Sequence, residues 1–568
     1  MQKPAMLSLL PILFFLMLLN RPNLGHAIGG SGATCTPATT NWGSCSLTSV
    51  PFAASVTKTA NIPAGNYPSP FVAGQANTRY VLQGNMTANG IAIIINASNV
   101  IIDLNRHIVT YNQSVPGEGI TSGSYGLSNV AVINGSVIQG ATKSEGASNG
   151  VGNNPIGNYN SALAGNRAIN SMYIGNIYVE YGGRDINGLE FTWNGNLIIE
   201  QTTVKDTYSV GTLKNRQHAI KAINNTRGSN SIIRHNTIVG ARHIAIGIEK
   251  GTEVHNNHLS YVSLDTNSSG IGGYKATDCK VYSNTIIGRG VHALGISFVS
   301  EGTNNIEIYD NLIDLQITKM GQEYGDEMYA SGFRTTWGGN NIKFYKNQID
   351  IKTAASFSGT YARNNAPVTI HSRGKGLFIG INENETATFS ENIITLSGDG
   401  VALGIAPSSN KSDALFIIGN TISTPHRHIV LEDTYAGTHG FPLFANNHLI
   451  RTGNNPDYFT ISGNQGGYGT QTARFVDNTF AGGASIDSIN LHPSGKETVN
   501  VYFGTKSGNE YSYNYRLHDN NGASSTLIRE DFSPAITLSY ANPATSSENI
   551  PPTPSSLAAP GNFTRLSK

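Results

Sequence analysis

IIRHNTIVG (residues 232–240), EVHNNHLSYV (253–262), KVYSNTIIG (280–288) and IEIYDNLIDL (306–315) are one phrase written four times. Alternating apolar residues lead into Asn, and a second short apolar run follows. The phrase goes on as IKFYKNQIDI from Ile342, ATFSENIITL from Ala387, LFIIGNTIST from Leu415, PLFANNHLIR from Pro442 and ARFVDNTF from Ala473. SNVIIDLNRHIVTY from Ser98 is an earlier copy. The Asn falls at 236, 257, 284, 311, 347, 392, 420 and 447, in steps of 21, 27, 27, 36, 45, 28 and 27 residues. A period in the twenties, built from short strands without a helical pattern, is the mark of a solenoid.

Each repeat carries two or three runs of four to six residues rich in Ile, Val, Tyr and Phe and alternating with polar residues, which read as strands. Gly, Asn, Ser and Thr fill the intervals as turns. One repeat cannot bury its apolar face alone, but repeats stacked at about 4.8 Å per layer close a continuous core. The fold class is therefore all-β, a single-stranded parallel β-helix. The recurring Asn reads as a turn residue that tolerates left-handed backbone and whose amide bonds to the Asn one layer away. Leucine-rich repeats share the period but need a Leu-rich consensus that is absent, and a propeller needs longer units.

The stretch YVLQGNMTANGIAIIINASNVIIDLNRHIVTYN, Tyr80 to Asn112, resembles the first coils of bacterial secreted right-handed parallel β-helix proteins, the pectin-lyase-like superfamily. That family often opens with a cap and then a phrase close to I-D-L-N-G-H-x-I. Here it is Ile102-Asp103-Leu104-Asn105-Arg106-His107-Ile108, with Arg in the Gly position. The resemblance covers roughly residues 80–480 and implies a right-handed winding. It says little about chemistry, because fold does not dictate function.

The rest of the chain frames this domain. Residues 1–27, with Lys3, an apolar run from Met6 to Leu19 and Gly25-His26-Ala27, read as a secretory signal peptide cleaved after Ala27. The expected location is secreted, cell-surface or periplasmic, with no membrane span in the mature chain. Residues 28–79 read as an N-terminal cap, in which export makes Cys35 and Cys45 a disulfide. Cys279 stands alone and reads as a small buried hydrophobe. The β-helix is assigned to 80–483, terminal coils or a C-terminal cap to 484–541, and a Pro/Ser-rich linker-like tail to 542–568. Lys plus Arg number 37 against 36 for Asp plus Glu, a net charge of +1, and 13% of residues are charged. That balance argues against nucleic acid or an anionic membrane as partner. The expected partner is polysaccharide, and the expected state a monomer.

One strand of each coil aligns by a small-apolar pair, from NGLEFTW (187–193) through HAIKAIN, IAIGIEK, SGIGGYK, HALGISF, SGFRTTW and VTIHSRG to DGVALGI and HIVLEDT (428–434). The outward fourth position then reads Glu190, Lys221, Gly247, Gly272, Gly295, Arg334, His371, Ala402, Leu431. Three glycines would leave a bare groove floor. Lys221 and Arg334 would stand four layers, or about 19 Å, apart. His218, Ser269, His292, Ser331, Asp399 and His428 flank one side; Glu249, Lys250, Lys275, Trp337 and Arg373 flank the other. Exposed Trp337, Tyr274 and Phe298 would stack on sugar rings. Glu190, Gly247, Gly272, Gly295, His292, Trp337 and Arg373 are the expected substrate-binding residues.

Uronate lyases need a base for the C5 proton, a cation or Ca²⁺ for the carboxylate and a donor for the leaving oxygen. One candidate centre is Lys221 as base with His218 and Arg242 or His243; the other is Arg334 with His371 and Arg373. His218 to Thr237 resembles the K…N…R-x-N-T stretch of chondroitinase-B-like alginate lyases, which implies Lys221 as the base. This chain has Gly247-Ile248-Glu249-Lys250 where that family has Arg in the next strand. SGDGVALGIAPSSN from Ser397 resembles the G-D-D-C-[IV]-A-I-G strand of polygalacturonases, whose paired carboxylates are the acid and base; Gly400 replaces the second Asp beside Asp399. The D-P-H-D tetrapeptide of the mannuronan epimerases is matched only by Thr424-Pro425-His426-Arg427. No cofactor is implied apart from Ca²⁺, and no metal ligand set can be named. The reading from another class is a non-catalytic adhesin or carbohydrate-binding solenoid, which the neutral charge and regular repeats also fit.

Overall fold

The computed structural model describes residues 50–540 apart from internal intervals, of which 142–155, 158–168 and 208–217 are the longest. The segment 1–27, Cys35 and Cys45, His371, Trp337 and the tail 542–568 lie outside the described residues.

The repeated phrase folds as two strands that meet at the Asn. Ser231–Arg234 and Thr237–Ala241 flank Asn236, and Thr252–His255 and His258–Ser263 flank Asn257. A third strand precedes them in each coil, such as His218–Ile223 or Ile244–Lys250. Each strand pairs in parallel with its counterpart one coil on, as in Ile232–Glu253, Glu253–Lys280, Lys280–Glu307 and Glu307–Lys343. The result is a right-handed parallel β-helix, in which 46 described strands share one hydrogen-bonded network. Phe357–Thr360 and Pro367–Ile370 form a separate antiparallel hairpin.

The start of the stacking differs from the boundary read in the sequence. Parallel stacking already begins at Lys58–Ile62, which pairs with Thr78–Leu82, so the first coil precedes residue 80. Its strands KTANI, GNY and FVA are short and mostly exposed, and such a terminal coil carries little apolar alternation to read. At the other end Glu497–Ser507 still stacks in parallel on Gly469–Val476. Glu510–Asp519 then turns back antiparallel against it.

Inward side chains form one continuous core along the axis. Phe298, Phe333, Phe344 and Phe389 are fully buried in it, with ring centroids 4.8–6.4 Å apart. Cys279 is buried too, and burial pushes its thiol up to about 12.

The Asn residues make a ladder through the core edge. The main-chain N–H and the Nδ2 amide of Asn284 both donate to Oδ1 of Asn311 at 3.0 Å. Asn311 repeats this on Asn347, at 3.0 and 2.9 Å. The same bonds link Asn236, Asn257, Asn392, Asn420, Asn447 and Asn478. The ladder Asn is not itself left-handed, contrary to the expectation. That conformation belongs to the residue before it: His235, Asn256, Ser283, Asp310, Lys346, Glu391, Asn446 and Asp477 have φ between 49° and 55°. The physical reason is division of labour at the corner. The Asn must aim its amide along the axis, so its neighbour turns the chain at about 1–2 kcal/mol for a residue with a Cβ. Arg106 likewise stands at φ 68°.

Removing one rung tests the ladder. Asn311→Ala leaves two donors of Asn284 without their acceptor and strips the carbonyls of Val281 and Tyr309 of a donor. A loss of about 2–4 kcal/mol is expected in urea unfolding, since each buried unsatisfied group costs about 1–3 kcal/mol. Asn311→Asp should not rescue it, because a carboxylate cannot donate to the carbonyls.

Candidate functional site

The first strands of successive coils form the sheet that carries the candidate groove. Backbone pairing runs Glu190–Lys221, Lys221–Gly247, Gly247–Gly272, Gly272–Ser297, Ser297–Arg334, Arg334–Phe378 and Phe378–Ala406. Lys221 and Arg334 are thus four coils apart on one column, as the alignment expected. Between them stand Gly247, Gly272 and Ser297.

Gly295 does not belong to this column. The small-apolar alignment slips by two residues at HALGISF, where Ile296 rather than Leu294 pairs with Ile271. Gly295 faces inward instead, with Gly270, Gly332, Gly376 and Gly404. A Cβ on any of these five would lie 2.3–2.6 Å from Ile286, Ile313, Ile349, Ile394 or Ile422 of the facing sheet. Side chains essentially never approach so closely, so this glycine row closes the core at a corner. It is not a groove floor. Phe298 moves with it and is fully buried, whereas Tyr274 is 54% exposed. Nor is the floor at Gly247 and Gly272 bare: the His218 ring covers the first, and Ile244 with the Ser269 hydroxyl covers the second.

The two ends differ in chemistry. At the first, Lys221 Nζ donates to Glu190 Oε1 at 2.7 Å, and Asn187 Nδ2 donates to Glu190 Oε2 at 2.8 Å. Asn187 Oδ1 accepts the main-chain N–H of His218 at 2.7 Å. The His218 and His243 rings meet edge to face, with centroids 6.3 Å apart. Glu190 is 5% exposed, so a carboxylate is drawn into the sheet and held by an ammonium and an amide. Base work by Lys221 would require that bond to be given up. Arg242, expected beside it, is buried against Asp206 with both side chains 1% exposed. A buried pair of this kind is broken only at a cost of several kcal/mol, which places Arg242 in the fabric of the coil rather than on the groove.

At the second end, the Arg334 guanidinium lies 5.9 Å from the centroid of the Phe378 ring and Lys375 Nζ lies 4.2 Å from it. Two cations therefore share one aromatic platform. His292 is buried nearby; burial first, and the charge of Arg334 second, lower it to about 4, so it stays neutral at pH 7. Arg373 is exposed but pairs with Tyr329 and Val401, off the Arg334 column. The column meets Phe378 where the alignment expected His371. The residues between Thr336 and Ser372 include the antiparallel hairpin and break the repeat spacing, so sequence alignment lost the register there. Phe378 and Lys375 were missed for that reason. Asp399 is exposed in the turn after Ile393–Gly398, and His428 is fully buried with its imidazole lowered to about 3, chiefly by burial. Among the described residues no three His, Cys, Asp or Glu side chains gather as a metal-holding group, and no helix is long and apolar enough to cross a membrane.

His255, His292 and His428 are all lowered below 6.5, mainly by burial. A His depressed in the folded state contributes stability that is complete above its unfolded value and is lost as pH falls. The urea midpoint should be flat above pH 6.5 and fall between pH 6.5 and about 4, where His255 and His292 take up protons. His292→Asn should flatten part of that slope; an unchanged slope would contradict the assignment.

No protein-family model matches this chain, and no curated protein matches it in sequence. Among solved structures it is similar to a mutant tailspike protein of E. coli bacteriophage HK620 in complex with a pentasaccharide, with a TM-score of 0.39 and 11% identity over 86% of this chain and 85% of that one. A double mutant of the same tailspike gives a TM-score of 0.39 at 10% identity over the same shares. The A-module of the mannuronan C-5 epimerase AlgE6 of Azotobacter vinelandii gives a TM-score of 0.27 and 11% identity, over 77% of this chain and 90% of that one.

Proposed function

We propose that this chain is an exported, monomeric β-helix that binds an acidic polysaccharide along the column from Lys221 to Arg334. The observation that carries the reading is the pairing of Arg334 and Lys375 over Phe378, four coils from Lys221. A guanidinium and an ammonium brought to one ring are two donors that a single uronate carboxylate can bridge. The distance from Lys221, about 19 Å at ~4.8 Å per layer, suits several sugar units. Export rests on the signal-like residues 1–27.

If the chain cleaves its ligand, the reaction is β-elimination and the Arg334 end is its centre. Arg334 and Lys375 would neutralise the uronate carboxylate and so acidify the C5 proton. A neutral base takes that proton, the C5–H electron pair forms the C4–C5 double bond, and the C4–O bond breaks with its oxygen protonated from a donor or water. His292, whose charge state is coupled to Arg334, is the candidate base, and the burial that lowers it to about 4 also weakens it as a base. Lys221 is the weaker candidate because its ammonium is engaged by Glu190. That same engagement favours the second reading, a non-catalytic carbohydrate-binding solenoid, for the Lys221 end.

The test is absorbance at 235 nm, where the unsaturated product absorbs, with alginate, pectate, chondroitin and gellan-type polymers, with and without Ca²⁺. Retention on the same polymers by affinity electrophoresis is the second readout. Arg334→Ala should weaken binding at least about tenfold, equivalent to about 1.4 kcal/mol, and abolish any absorbance rise. Lys221→Ala should weaken binding less. A rise lost in Lys221→Ala but kept in Arg334→Ala would move the centre to the other end. Binding without any rise would establish the non-catalytic reading, and no binding to any polymer would end both.

A further inference from the structure

A different face of the solenoid carries a ladder of aromatic rings that stops one place short. On the sheet of strands preceding the Asn, the outward column runs Arg234, His255, Tyr282, Tyr309, Tyr345, Ser390, Ile418 in successive coils. His255 stacks on Tyr282 at 4.6 Å, Tyr282 on Tyr309 at 4.9 Å and Tyr309 on Tyr345 at 5.1 Å, with interplanar angles of 4°, 1° and 10°. The ladder is closed at its upper end: the His235 ring meets His255 edge-on at 6.0 Å, and Arg234 is ion-paired with Glu200 at 2.6 Å.

Its lower end is different. The place below Tyr345 holds only the hydroxymethyl group of Ser390, and the column resumes with Ile418, itself packed on the Leu443, Ala445 and Val476 cluster. Tyr345 and Ile418 are two layers apart, about 9.6 Å at ~4.8 Å per layer. That leaves a slot one ring thick, bounded by an aromatic face above and an aliphatic side chain below.

From this geometry we infer a binding slot between Tyr345 and Ile418, over Ser390, that takes a single pyranose ring. The Tyr345 ring presents its electron-rich face to the next layer, and the axial C–H face of a sugar is its electropositive counterpart. The rim selects a sugar over a plain aromatic ring. Lys343, ion-paired with Glu307 at 3.2 Å, and Thr388 occupy the adjacent outward column, and Glu391, 4.0 Å from Lys346 Nζ, stands in the turn on the other side. They give the rim polar side chains with which sugar hydroxyls can exchange hydrogen bonds. The slot is on another sheet from Arg334, so it does not rest on the groove reading above.

The experiment is saturation-transfer difference NMR on the full chain, with methyl glucoside, galactoside and mannoside as probes at millimolar concentration. Transfer to the ring C–H protons of at least one glycoside is expected for the wild type. Ser390→Tyr, which fills the slot with the next ring of the ladder, should abolish it, while Ser390→Ala should keep it. Tyr345→Leu, which removes the platform, should also abolish it, and Tyr345→Trp should preserve it. Arg334→Ala should leave the signal unchanged, separating this slot from the groove. Absence of transfer from all three glycosides, or transfer that survives Ser390→Tyr or Tyr345→Leu, would overturn the inference.

Discussion

The buried Asn ladder is the constraint on which the rest depends. Each amide donates to the Asn carbonyl of the next coil and to a main-chain carbonyl of the coil before it, as Asn284 does to Asn311 and Val254. A rung therefore ties three layers together, and a slip of one residue would leave several buried polar groups without partners. Register fixed at this corner is register fixed on all three sheets. The separation of Lys221 and Arg334 and the alignment of the tyrosine rings follow from it.

The second constraint is steric, at the corner where the glycines lie. Gly270, Gly295, Gly332, Gly376 and Gly404 let the groove sheet close against the isoleucine column opposite. Two consecutive positions of that strand consequently face inward, and simple alternation fails there. The outward column is displaced from where a period of two would put it. This is why the floor between the two basic ends consists of Gly247, Gly272 and Ser297.

The ends of that column show how one sheet supports two electrostatic regimes. Glu190 takes Lys221 into an ion pair within the sheet, so the charge there is answered by the protein's own carboxylate. Arg334 and Lys375 converge on one ring whose quadrupole attracts both cations. The second arrangement gathers two cationic side chains at one aromatic face, and His292, kept neutral by burial and by Arg334, adds no further charge.

The sequence by itself determined the solenoid, its repeat phrase, the Asn ladder and the shared column of Glu190, Lys221, Gly247, Gly272 and Arg334. These are legible because identical layers put equivalent residues at equivalent steps, and burial imprints that period on the composition. The tertiary structure alone decided that Gly295 faces the core, that Arg242 is buried on Asp206, that the turn residue precedes the Asn and that Phe378 stands below Arg334. Each depends on a contact between coils or on a coil whose length departs from the period. A linear alignment counts residues, whereas the register is set by which hydrogen bonds and side-chain volumes fit when one layer is laid on the next.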